Sequence, residues 1–226
     1  MKSKFILSLA FFCLNAMAGE SYILYDVNKN SVISEKNTNE SHSIASLSKL
    51  MTAMVVLDND PDMSKYGKNI LQRLLIRSDN SAAEVLAKYY TGGRSAFISD
   101  MNKKARSLGL TQTAFNDPSG LSVFNRSTAQ EYVRIVLEAQ KYPVIREISS
   151  TYETKLSKHK AIHNTNALLK EYDNIVLSKT GFTNKAGRCL AMMLEDDMKK
   201  YVIVILGQPS VQSRTKLAKE LISMTN

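Results

Sequence analysis

Two cysteines are all that this chain of 226 residues contains, and one of them, Cys13, falls in an N-terminal stretch that reads as an export signal. Lys2 and Lys4 make a positive start, and Phe5 to Leu14 is apolar. Ala16-Met17-Ala18 then places small residues where a signal peptidase reads them. The large Phe12 before Cys13 argues against a lipoprotein anchor. With residues 1–18 removed as a signal peptide, Cys189 stands alone, which excludes an intrachain disulfide even in an oxidising compartment. Its neighbours Leu190, Ala191, Met192 and Met193 mark a buried strand thiol and not a nucleophile. No apolar run approaches the roughly 20 residues that a membrane span requires. A periplasmic protein with at most peripheral membrane association is expected. Histidine is also scarce, with only His42, His159 and His163. The last two are spaced i,i+4, but no Glu-rich helix lies between them to complete a metallopeptidase site, so neither metal nor cofactor is expected. Internal repeats and low-complexity stretches are absent.

The acids are outnumbered. Removing the signal takes away two lysines and no acid, lowering the net charge from +9 to +7. A basic exported chain suits anionic surroundings such as a cell-wall polymer or lipid headgroups. Nucleic acid is excluded as a partner by the export signal and by the lack of a basic stripe interleaved with aromatics. The residues from 19 to 226 can bury one core, with a small lobe beside it.

Tyr22 to Tyr25 and Val32-Ile33 flank Asn28-Lys29-Asn30, which predicts a β-hairpin. An apolar helix is expected to open at Ser46 and run through Leu57, followed by a loop over 58–67. Further helices are expected at 70–76, 81–90, 95–108 and 128–140, so that a helical lobe occupies about residues 60–150. Asn116 to Gly120 is a turn cluster. Residues 174–178, 188–194 and 201–206 read as strands and 213–224 as a closing helix. Strands at both ends of the chain most simply share one antiparallel sheet, giving an α/β fold of the α+β kind with helices beside the sheet. The cleft between sheet and lobe is the natural site.

Three Ser-x-x-Lys pairs occur: Ser46/Lys49, Ser157/Lys160 and Ser213/Lys216. On a helix the lysine amine reaches the serine hydroxyl three residues away, as a base toward a nucleophile requires. A single copy is mostly surface decoration, and the copies at 157 and 213 fit that reading. Ser46 differs because it opens an apolar helix, where free amides favour developing negative charge. Ser78-Asp79-Asn80 stands between two helices, where helix capping is the plain alternative. Lys179-Thr180-Gly181 ends an apolar strand and could be a strand edge with a turn glycine. Together, in this order, the three motifs form the signature of penicillin-recognising serine enzymes. Lys49 is a base only when neutral, and both burial and a nearby Lys179 lower its pKa. Lys179 and Thr180 suit a substrate carboxylate. Gly181 opens the strand edge to an extended peptide. The amides of Ser46 and Phe182 suit an oxyanion. Ser78 can pass a proton to the leaving amine, and Asn80 can orient Lys49.

Ile44 to Asp58 resembles the nucleophile helix of low-molecular-mass penicillin-binding proteins. The resemblance extends through Gly92-Gly93, Phe97, Met101-Asn102, Lys104 to Gly109, Thr113, Phe115, Pro118 to Ser122 and Asn164 to Asn166, and is densest over Leu177 to Leu190. In detail the chain is most similar to the D-alanyl-D-alanine endopeptidase branch. The resemblance implies a transpeptidase/β-lactamase-like fold, with an antiparallel sheet flanked by helices and a helical lobe. It also implies a single D,D-peptidase domain over 19–226, acting on peptidoglycan peptides and acylated by β-lactams as covalent inhibitors. Catalytic roles then fall to Ser46, Lys49, Ser78 and Asn80, and substrate binding to Lys179, Thr180, Gly181 and Phe182. Arg214 stands where some relatives place an arginine that meets a terminal carboxylate, although a solvated helix arginine explains it equally well. Two departures stand out. The interval from Lys49 to Ser78 is about thirty residues shorter than the family pattern, which leaves part of the cleft wall open. The C-terminal β-domain and amphipathic anchor of many carboxypeptidase relatives have no counterpart.

An endopeptidase on cross-links is the leading expectation, with a D-Ala-D-Ala carboxypeptidase as the alternative. A β-lactamase would need a deacylating glutamate, and no Glu-x-x-Leu-Asn segment is present; Glu147-Ile148-Ser149-Ser150-Thr151 does not fit. A non-catalytic wall-binding or penicillin-sensing module is the non-enzyme reading.

Overall fold

The computed structural model describes residues 19–60, 62–157 and 160–225. The export signal expected over 1–18 lies outside them. Strands β1 (Ser21–Asp26) and β2 (Ser31–Lys36) form the N-terminal hairpin. Asn30 turns through φ 51°, and the Asp26 carboxylate accepts from the Lys29 amide. Two-residue strands β3 (His42–Ser43) and β4 (Arg126–Ser127) pair antiparallel.

Between them lie α1 (Ser48–Asn59), α2 (Lys68–Leu75), α3 (Asn80–Lys88) and α4 (Gly93–Ser107). After β4 come α5 (Ala129–Ala139) and α6 (Pro143–Ser150). Helix α1 is buried on every side from Ser48 to Leu57, because helices α2 to α6 surround it. Helix α6 and the hairpin β5 (Glu153–Ser157) and β6 (Lys160–His163) add to the expected elements.

The chain then returns to the sheet as β7 (Ile175–Thr183), β8 (Gly187–Asp196) and β9 (Lys199–Gln208), and closes with α7 (Val211–Ser223). The strand order is β2-β1-β9-β8-β7, antiparallel throughout, as expected from the strands at both ends of the chain. Period-two alternation splits the sheet into two faces. Ile23, Leu177, Cys189, Ala191, Met193, Val202 and Val204 face the helical lobe. Leu24, Leu190, Met192, Ile203 and Ile205 face α7 through Ala218, Leu221 and Ile222. Covering both faces explains why β8 reads as an unbroken apolar run instead of an alternating one.

Cys189 is buried in β8, and burial pushes its thiol pKa up to about 11. No helix among the described residues is long and apolar enough to cross a membrane.

Candidate active site

The site is built where the edge of the sheet meets the start of α1. Ser46 lies in a 3-10 turn, Ala45–Leu47, and α1 proper begins only at Ser48. The helix therefore opens two residues later than the sequence suggests. The turn is held at both ends: Leu47 N donates to Ile44 O and Ser48 Oγ to Ala45 O, each within the turn. Tyr132, buried in α5, donates its hydroxyl to the Leu47 carbonyl at 2.7 Å. Ala45 adopts φ 47°, a left-handed conformation that a non-glycine residue keeps only when its surroundings dictate it.

Lys49 projects from the first turn of α1 and is fully buried. Its Nζ donates to Ser46 Oγ at 2.9 Å, to Asn80 Oδ1 at 2.7 Å and to the Ser119 carbonyl at 2.5 Å. Three acceptors match the three protons of an ammonium. Burial lowers its pKa to about 8, against the opposing pull of Asp117, Asp79 and Glu84. A neutral amine is therefore within reach near physiological pH.

The Ser78-Asp79-Asn80 segment divides its labour. Asp79 is the helix cap of α3, accepting from the amides of Ser81 and Ala82, and it pairs with Arg73 at 2.7 Å. The capping alternative holds for Asp79 alone. Ser78 sits at φ 60°, and its hydroxyl accepts from Lys179 Nζ at 2.8 Å. Asn80 is the acceptor that fixes Lys49.

Lys179, Thr180 and Gly181 lie inside β7, which continues to Thr183, so the tripeptide does not end the strand as its sequence suggests. Lys179 is 1% exposed and donates to Ser78 Oγ and to the Thr180 carbonyl. Burial, then the charges of Lys49 and Arg214, press its pKa well below the ordinary lysine value. The hydroxyls of Thr180 and Thr165 bond at 2.6 Å. Gly181 lies on edge strand β7 and lines the groove, and its lack of a side chain has a further reason. A Cβ there would come within 3.0 Å of the Ile44 carbonyl and 3.1 Å of the Ser46 amide, so glycine lets β7 press against the serine turn.

Ser46, Ser78, Thr165, Thr180, Gly181, Phe182, Arg188, Val211 and Arg214 line one groove of about 270 Å³. Arg214, in the first turns of α7, faces this groove and is 7% exposed, which removes the solvated-helix explanation. Its Nε has no hydrogen-bond partner, and burial and the charge of Arg188 lower its pKa.

The other two Ser-x-x-Lys pairs do not reach this groove's chemistry. Ser213 caps α7 with Ser210, and Lys216 sits opposite Glu220. Ser157 and Lys160 are backbone partners in the register of the β5–β6 hairpin. Among the described residues no group of three or more His, Cys, Asp or Glu side chains could hold a metal. His163 bonds Glu153, His42 is buried, and His159 lies outside the described residues. A second hollow of about 310 Å³ between α1 and α4 contains Asp58, Tyr90 and Lys104, but these groups are spent on each other and on Asp100.

The sequence marks residues 116–120 as a turn cluster, with Pro118 to Ser122 part of the family resemblance, but gives no role to Asp117. Its buried carboxylate accepts from Ser119 N and Oγ, Gly120 N, Leu121 N and Ser122 N. Burial alone would raise its pKa, but these donors outweigh it and hold the group below the usual carboxylate range. Asn125 locks the loop to the serine turn by donating to Ser48 Oγ and the Asp117 carbonyl. Thr52 adds a bond to the Pro118 carbonyl at 2.6 Å. An Asp followed by Pro-Ser-Gly is the available signal, since Asx-turns gather successive amides in this way.

The family model described as D-alanyl-D-alanine carboxypeptidase matches residues 13–65 and 60–210. The two matches meet at 60–65, inside the shortened interval between Lys49 and Ser78. The D-alanyl-D-alanine endopeptidase of Escherichia coli (strain K12) is 37% identical over 221 residues, covering 84% of this chain and 71% of that protein. The enzyme of the same description from Pseudomonas aeruginosa is 34% identical with the same coverage. Among solved structures, penicillin-binding protein D2 from Listeria monocytogenes in its ampicillin-bound form superposes with a TM-score of 0.82 at 25% identity. That match covers 90% of this chain and 95% of that one. The Streptomyces K15 DD-transpeptidase shares the fold, with a TM-score of 0.81 at 24% identity over 92% of this chain and 98% of its own.

Proposed function

The chain belongs to the D-alanyl-D-alanine carboxypeptidase family, and from that membership we propose that it is a serine D,D-peptidase of peptidoglycan that opens D-alanyl cross-links. The hydrogen bond between Lys49 Nζ and Ser46 Oγ carries this reading. Neutral Lys49 takes the serine proton as Ser46 Oγ attacks the D-alanyl carbonyl. The amides of Ser46 and Phe182 receive the oxyanion. The C–N bond then breaks, Ser78 relays a proton to the leaving amine, and the D-alanyl group remains as an ester on Ser46. Water attacks that ester with Lys49 again as base, restoring the free serine.

Asn80 keeps Lys49 aimed at Ser46. Lys179 lies beneath the groove and holds Ser78. Thr180 and Arg214 receive the carboxylate on the leaving side, a role supported by Arg214's burial and unpaired Nε. β-Lactams acylate Ser46 through the same steps, as the ampicillin-bound Listeria relative suggests. Export to the periplasm, with removal of residues 1–18, would bring the enzyme to its substrate.

Digestion of purified cross-linked muropeptide dimers tests the proposal. Release of monomers by the wild type, retained with EDTA and abolished in Ser46→Ala, is the expected result. Loss of terminal D-Ala from pentapeptides with dimers left intact would make the enzyme a carboxypeptidase. A penicillin adduct on Ser46 with neither product would make it a binding module.

A further inference from the structure

Arg188 has no part in the chemistry above, yet it lines the groove beside Arg214. It opens β8 directly across from Phe182 of β7, and its guanidinium lies over the Phe182 ring, 3.4 Å from the centroid. Its backbone is fixed from the other side, where Arg188 pairs with Gln208 of β9. Gly187 before it adopts φ 65°, and a Cβ there would meet the Gln208 carbonyl at 2.9 Å. The arginine thus springs from a strand end paired on both sides and rests over an aromatic face, and its guanidinium can present a planar fork of N–H groups.

Among the described residues neither Arg188 nor Arg214 has a carboxylate partner within ion-pair distance. Half-buried Arg73 and Arg146, by contrast, meet Asp79 and Glu195. Two guanidiniums without carboxylate partners share one groove, close enough that Arg188 depresses the pKa of Arg214, and together they suit a ligand with more than one negative charge. A single amino acid leaving the active site offers one carboxylate, and Arg214 suffices for it. A second fork has work only when the leaving group is longer and carries a second acid.

Resting on the D,D-peptidase reading, we propose that Arg188 is a specificity-determining residue that binds a second carboxylate on the leaving peptide, beyond the one received at Arg214. The substrate class is a branched leaving peptide with two carboxylates, the product of cross-link cleavage and not of terminal D-Ala removal. Arg188 thereby favours endopeptidase over carboxypeptidase turnover.

The test uses two synthetic cross-linked peptides identical on the acyl side and at the carboxylate next to the scissile nitrogen. They differ at the second acid, which is free in one and a carboxamide in the other. Wild type is expected to show kcat/KM about tenfold or more higher for the acid, the value of one charge-assisted hydrogen bond. Arg188→Gln should bring the ratio of the two substrates to about one, and Arg188→Lys should recover part of it. Because the ratio is taken within one preparation, differences in folded fraction cancel. An equal rate on both peptides by wild type, or an undiminished ratio in Arg188→Gln, overturns the assignment while leaving the peptidase intact. Failure of wild type to cleave either peptide removes the endopeptidase reading itself, and this assignment falls with it.

Discussion

The main-chain carbonyl of Ser119 accepts a hydrogen bond from Lys49 Nζ at 2.5 Å, across 70 residues of sequence. One partner of the putting-in-place of the base is therefore a loop carbonyl, whose position depends on Asp117 and not on any of the three signature motifs.

Replacing Asp117 by Ala should accordingly damage both stability and the active site. Four amides and a hydroxyl lose a buried anionic acceptor, at a cost of about 3 kcal/mol. Thermal unfolding should show a lower Tm. Acylation by a fluorescent penicillin should slow by about tenfold or more in the fraction that remains folded, since Lys49 loses its third fixed acceptor.

Acylation should rise with pH. A base with a pKa of about 8 is mostly protonated at pH 7 and mostly neutral at pH 9. The fraction of active enzyme grows roughly tenfold over that interval. The sign follows from burial, which disfavours the ammonium; a lysine at its ordinary value would leave the rate climbing until above pH 10. Single-turnover rates of penicillin adduct formation, followed by mass spectrometry from pH 6 to 10, locate the midpoint.

Two glycines flank the serine turn and should fail differently. Gly120 adopts φ 87°, and a Cβ there would collide with the Ala45 carbonyl, which is backbone and cannot swing aside. Gly120→Ala should cost about 3 kcal/mol or more, visible in denaturant midpoints. Gly181 has an ordinary strand conformation and contacts of 3.0–3.2 Å, so Gly181→Ala requires a shift of only a few tenths of an ångström. That shift falls on the Ser46 amide, so adduct formation should slow more than stability drops.

The sequence made the chemistry legible because motif order and apolar periodicity are both local properties. The strands at 21–26 and 175–208 and the burial of Cys189 followed from runs of residue types that permit few alternatives. The sequence predicts a regular helix at Ser46 because the apolar pattern is continuous into α1. The 3-10 turn arises from tertiary contacts, Gly120 against Ala45 and Tyr132 against Leu47, which no local pattern encodes. The sequence shows Gly181 as an opening for substrate but not its close approach to the protein's own serine turn, which only the fold creates. Asp117 and Arg188 were passed over because an Asp in a turn and an Arg at a strand end are ordinary surface residues until the fold brings them to a groove. Helix α6 and the β5–β6 hairpin were missed where the pattern from 143 to 163 is too short and too polar to declare its period.

The partners of Lys49 lie 3, 31 and 70 residues away in sequence, and Lys179 reaches Ser78 across 101. No fragment holding Ser46 and Lys49 alone retains that arrangement. Covalent capture of a labelled β-lactam therefore counts intact molecules, and in a denaturant series its disappearance should track the loss of the whole fold instead of an early local opening. The chain carries its own reporter of conformational integrity, usable in crude extracts without purification or an antibody.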